Sequence, residues 1–270
     1  EWQAKRIESA RQQENQEWQK RSEALSKKIS DLETELRAAQ PEKPPEEGRA
    51  VEILGPIPTE TTAKEQPSRV EEIERQILAF FAYLDNRDYV KAFQFEGGTY
   101  AQYAAAIDDL SAGLPRVAGE TESLYTTLKN VSHFFRVLGK KRTQFAVDVL
   151  RNEAEILESV MRLFYVWSSG PNGKLKGQPT LPVQYEYAGY FLNTLGGRSY
   201  LMRRDPKVRL LATYYSIRII DRANDRKLNP NGIDIRPAIA ATAKEIRGQT
   251  GLVYRKQYLA ELERLSAKYP

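Results

Sequence analysis

Over most of the chain, apolar residues recur at intervals of three and four, the signature of amphipathic helix. From Ser68 onward, Val70, Ile73, Ile77, Phe80/Phe81 and Leu84 form one broad stripe. Ser68 is placed to cap that helix, and Glu71 and Glu72 complement the dipole in its first turn. A short helix is expected near Asp88–Phe93. Gly97 and Gly98 break the pattern, and Thr99 opens a helix carrying Tyr103, Ala106, Ile107 and Leu110. The next begins at Thr121, carries Leu124, Leu128, Val131, Phe135 and Leu138, and closes at Gly139, a residue suited to a left-handed C-terminal position. The longest helix is predicted from about Lys141 to Ser168, with Ala146, Val149/Leu150, Leu157, Val160/Met161, Phe164 and Trp167 on one face.

A long irregular stretch, Gly170 to Pro182, follows; loops of this length in compact domains are often functional. Helical spacing resumes over Gln184–Leu195 and, after Gly196 and Gly197, over Ser199–Arg204. Asp205-Pro206 reads as an N-cap and first-turn pair opening a helix with Leu210, Tyr214, Ile217 and Ile220. Asp234 and Pro237 start another that ends at Gly248, and the last spans Leu252–Lys268. No long alternating run signals a strand. The expected fold is therefore an all-α, multi-helix, bundle-like body over 69–270, able to divide into two sub-bundles at the 169–184 loop. The similar strings Glu96–Tyr100 and Leu195–Tyr200 read as helix-ending glycines rather than as a repeat.

The first 40 residues follow a different pattern. Trp18, Leu25, Ile29, Leu32 and Leu36 fall on one narrow seam that passes through Ser22 and fails at Asn15 and Arg11. About two to three heptads result, a coiled-coil-like stalk helix that needs a partner to be stable. Self-association through residues 1–40 is the expectation, with a solvated helix as the alternative. Residues 41–68 read as a Pro/Glu-rich linker, because Pro41, Pro44, Pro45, Pro56, Pro58 and Pro67 interrupt helix; only Val51–Leu54 is expected as a brief extended piece. Trp2 to Leu36 reads as mid-helix with no initiator methionine before it, so a fragment of a longer protein is expected, with a membrane anchor upstream as one identity and a larger soluble protein, or simple trimming of the terminus, as the alternative. The anchor would place the body outside the cytoplasm, in a bacterial periplasm for instance. No apolar run approaches the ~18 residues that span a bilayer.

Composition narrows the chemistry. The chain has 270 residues, 41% apolar and 29% charged, with no cysteine and a single histidine, His133. That excludes disulfides, thiolate chemistry and any site needing two histidines of one chain. Residues 1–68 and 69–159 each carry a net −3, whereas 160–270 carry +11. Within that basic part Arg203, Arg204 and Lys207 cluster with Arg209, and Arg218, Arg222 and Arg226 recur every four residues on one helical face; Lys174 and Lys176 sit in the long loop. Arginines so arrayed suit anions or an acidic partner, although Asp221 and Asp225 offset the row. Nucleic acid would call for a denser basic and aromatic surface, since Tyr185, Tyr187, Tyr190 and Tyr214 fall in apolar patterns.

Catalytic motifs are missing. Ser132 and His133 are adjacent on a helix and cannot face each other, so His133 is expected to pack. Glu71/Glu74 and Glu155/Glu158 could share faces, and Asp108-Asp109 sits near a helix end, but the Glu-x-x-His pattern of a di-iron bundle fails at Asn130. Gly-Pro-Asn-Gly-Lys174 lacks the ending and the preceding strand of a phosphate loop. No metal site or cofactor is expected, and no residue pattern points to a known family. The sequence favours a non-catalytic helical interaction or scaffold module. The alternatives are polyanion binding through the basic half, a small-ligand sensor with the 170–183 loop over an aromatic pocket, and an enzyme with an unrecognised acid pair.

Overall fold

The computed structural model describes residues 46–56, 67–115, 124–193 and 205–270. Among them the chain forms α1 (Glu46–Leu54), α2 (Pro67–Asp85), α3 (Asp88–Lys91), α4 (Gly98–Ala112), α5 (Leu124–Val131), α6 (His133–Asn152), α7 (Leu157–Ser169), α8 (Leu181–Asn193), α9 (Pro206–Asp225), α10 (Arg236–Gly248) and α11 (Arg255–Lys268), with no strand. None of these helices is long and apolar enough to cross a membrane. The stalk seam Trp18, Leu25, Ile29, Leu32 and Leu36, linker residues 41–45 and 57–66, the expected helix start at Thr121 and the Ser199–Arg204 segment lie outside the described residues.

The organising element is α7. Its sequence, LESVMRLFYVWSS, is apolar on nearly every side, and a helix of that kind must be enclosed. Ile156, Val160, Leu163, Val166 and Trp167 join a cluster with Ala50 and Leu54 of α1, Ile73, Ile77, Phe80, Phe81 and Leu84 of α2, and Val90 of α3. Tyr165 faces the other way, into a cluster built from α8 to α11 around Leu211, Ile217, Ile220, Ile246 and Leu262. Leu157 meets Val208 and Ala212 of α9 in a third. Removing a side chain such as Leu163 from water contributes about 1.5–3 kcal/mol.

Local chemistry sets the ends. Asp205 accepts from Val208 N at 3.0 Å, and Pro206 occupies the first turn of α9. Asp234 accepts from Arg236 N just before α10. At α4 the capping group comes from a neighbour: Asp85, at the end of α2, accepts from Thr99 N at 2.9 Å, while the Thr99 hydroxyl donates to Phe81 O. Thr99 therefore lies inside the first turn instead of preceding it.

Three boundaries depart from the periodicity. Val51–Leu54 is not extended; it ends α1, with Ala50 and Leu54 buried against α2. Gly139 does interrupt a helix, at φ +75 and ψ 168, but the chain resumes helix immediately, so α6 is kinked there. The long Lys141–Ser168 helix is divided at 153–156. The division has a cause: the buried Glu153 carboxylate accepts from Tyr83 OH at 2.7 Å, Tyr89 OH at 3.0 Å and Arg87 Nε at 3.0 Å. Those distant donors fix a turn that no local pattern announces.

Candidate ligand cavities flanking α4

Helix α4 carries the small run Ala104-Ala105-Ala106 between the larger Tyr103 and Ile107. Small residues between large ones fill little space beside a neighbouring helix, and none of these five side chains is fully buried. Two apolar cavities border the helix. One, of about 330 Å³, lies among α2, α4, α6 and α7 and is lined by Phe81, Ile107, Leu110, Phe145, Val149 and Phe164. The other, of about 410 Å³, lies among α4 and α6 to α9 and is lined by Phe134, Tyr187, Ala188, Phe191, Ala212 and Tyr215. Tyr103, Ile107, Leu110 and Phe164 line both, so the side chains of α4 and α7 form the partition. Aromatic contacts brace it: the Tyr103 ring meets Phe164 at 5.4 Å and Phe81 at 5.1 Å. Cavities of this size and lining match the lower range of small-molecule sites.

Polar groups stand at defined places around these voids. Arg142 of α6 lines the first cavity and reaches across to α4, donating from Nε to Gln102 Oε1 at 3.2 Å and from Nη1 to Asp109 Oδ2 at 2.5 Å. Glu153 lies in the same wall, with its three donors already described. Beside the second cavity, His133 is fully buried. Arg136 donates to its Nδ1 at 3.1 Å, which leaves Nε2–H to donate to Tyr187 OH at 2.9 Å; that hydroxyl donates onward to Leu110 O. Burial, reinforced by the Arg136 charge, pushes His133 down to about 4, so the ring is neutral at physiological pH. It packs and orients Tyr187, in keeping with its apolar surroundings in sequence.

The 170–183 loop is held in place. Glu74, itself buried, accepts from Leu175 N at 2.8 Å, Tyr100 OH donates to Lys176 O, and Gln178 Nε2 donates to Trp167 O. At Gly177, with φ +83, an added Cβ would lie 3.1 Å from the Ala104 backbone, so the loop passes directly over α4. Pro179 then enters the wall of the second cavity. Lys174 is exposed and pairs with Glu71 at 2.9 Å; Lys176 is exposed.

Several of the basic residues that sequence grouped have partners within the protein. Arg218 pairs with Glu261 at 2.8 Å and lies over the Tyr165 ring. Arg222 donates to Ser169 Oγ and Ser169 O, tying α9 to the end of α7. Lys207 lies 3.6 Å from the buried Glu158 carboxylate, which also accepts from Val253 N and Tyr254 N. Arg226 is exposed at the end of α9, and Arg203 and Arg204 lie outside the described residues. Among the acidic residues, Glu155 pairs with Arg49, and Asp109 with Arg142. Among the described residues no three histidine or acidic side chains gather as a metal site. Sequence reasoning missed Arg142, Glu153 and the cavity walls; the only local signal was the alanine run of α4. No protein-family model, curated protein or solved structure matches the chain.

Proposed function

We propose that residues 46–270 act as a non-catalytic helical module that senses or carries a small apolar ligand, held against α4. The observation that carries this reading is the pair of aromatic-lined cavities, about 330 and 410 Å³, sharing Tyr103, Ile107, Leu110 and Phe164. Two adjoining apolar clefts of this size, lined by aromatic rings, suit a small apolar occupant. The loop over α4, fixed through Glu74 and Gly177, gives the second cavity one wall. Thermal unfolding of the full chain tests the reading. Saturating 1-dodecanol or naphthalene is expected to raise the melting temperature by about 5–10 °C, while glucose leaves it unchanged. No rise with any apolar compound defeats it.

A second reading, a helical interaction module carried on the N-terminal segment, draws support from the outer face of α5. Tyr125 and Leu128 are 66% and 57% exposed, with Lys129 over the Tyr125 ring at 4.4 Å. Sedimentation with and without residues 1–40 tests the self-association it requires; a monomer in both cases ends it. Polyanion binding draws less support, because Arg218, Arg222 and Lys207 have protein partners.

A further inference from the structure

We infer that the ligand of the first cavity is a single-chain amphiphile with an anionic head, such as a fatty carboxylate, and that Arg142 receives the head. The inference rests on the ligand-binding reading above and adds the chemical class. Arg142 is the one cationic side chain in the wall of either cavity among the described residues. Its Nε and Nη1 are engaged by Gln102 and Asp109, and Nη2 makes no hydrogen bond among the described residues. A guanidinium has five N–H donors in a fixed fork, so donors remain for a carboxylate without breaking the link to α4. The side chain is 26% exposed, which leaves the head within reach of water and lets only the tail enter the apolar space.

The rest of the wall suits a tail. Phe81, Ile107, Leu110, Phe145, Val149 and Phe164 offer it no hydrogen-bonding group. The other charged group, Glu153, lies just past the far end of α6, eleven residues on from Arg142 and about 16 Å away at helical rise. Its oxygens are taken by Tyr83, Tyr89 and Arg87, so it neither recognises a second head nor stands bare beside the first. Exposed Lys140 and Lys141, on the turn before Arg142, add positive potential on the approach. Asp109 is half-exposed and opposes an incoming anion, so it sets how tightly the head is held.

Isothermal titration of the full chain at pH 8 with three probes of equal tail, dodecanoate, 1-dodecanol and dodecylammonium, all below their micellar concentrations, tests this. Dodecanoate is expected to bind at least about tenfold tighter than 1-dodecanol, the scale of one charge-assisted hydrogen bond, and dodecylammonium weakest. Arg142→Met should abolish the preference while 1-dodecanol still binds. Asp109→Asn, which keeps a hydrogen-bonding oxygen and drops the charge, should tighten dodecanoate severalfold and leave 1-dodecanol unchanged; this variant serves if Arg142→Met fails to fold. Equal affinity for the three probes overturns the anionic class while leaving an apolar site. No binding by any probe overturns the site itself. A dodecanoate preference unmoved by either variant overturns the role of Arg142.

Discussion

Filling the first cavity from its own wall gives opposed effects on stability and on binding. Ala106 lines that cavity on α4, and Ala106→Leu adds three carbons to it. Full burial of three methylene-sized groups contributes about 2.4 kcal/mol. Ordering the leucine costs roughly 0.5–1 kcal/mol, and the loss in helix propensity is smaller. The net expectation is a gain of about 1–2 kcal/mol, seen in urea as a higher midpoint with unchanged slope. The same variant should weaken 1-dodecanol binding at least about tenfold, because the leucine occupies the ligand's space. Ala223 of α9 supplies the contrast. It is 0% exposed within a filled cluster, so Ala223→Leu should lose about 1–3 kcal/mol through overpacking. If Ala106→Leu is destabilised like Ala223→Leu, the space beside α4 is already filled and the reasoning fails.

Other consequences follow from buried polar groups. His133 has a folded-state pKa near 4 against an ordinary 6.5, so the unfolded chain binds the proton first as pH falls. Its neutral form stabilises the fold fully above pH 6.5, and up to about 3 kcal/mol is lost on going down to pH 4; His133→Gln should flatten that part of the profile in urea melts at stepped pH. Glu158 is 1% exposed and bonds Val253 N and Tyr254 N. Glu158→Gln should cost about 2–4 kcal/mol and speed hydrogen exchange at those two amides, which precede α11, ahead of the amides of α11 itself. At Gly139, φ +75 and ψ 168 suit glycine alone, and an added Cβ would meet nothing within 4 Å. Gly139→Ala should therefore cost about 1–3 kcal/mol of backbone strain, and a chemical melt showing no loss would refute the kink.

The helical class was legible because each amphipathic stripe encodes its own partner face. Val70 to Leu84 and Leu210 to Ile220 needed nothing beyond three-and-four spacing, and Asp205-Pro206 marked its boundary by local hydrogen bonding. What failed depended on distant residues. Glu153 looks like a surface acid inside a helical pattern; only Tyr83, Arg87 and Tyr89, more than sixty positions earlier, make it a buried turn. Val51–Leu54 reads as extended by composition but is helical where Ala50 and Leu54 pack against α2. The arginine row illustrates both sides: spacing placed Arg218 and Arg222 on α9, but only the fold supplies Glu261 and Ser169 as their partners. A cavity is a shortage of atoms between elements, and periodicity carries no record of it, so the site beside α4 emerged only with the packing.

The most direct measurement is a crystal structure of the chain under xenon pressure, since xenon enters dry apolar voids and leaves packed cores untouched. Xenon bordered by Ile107, Leu110 and Phe164 is the expected result. Side chains of α4 and α6 closed upon one another, with no xenon between them, would contradict the ligand site.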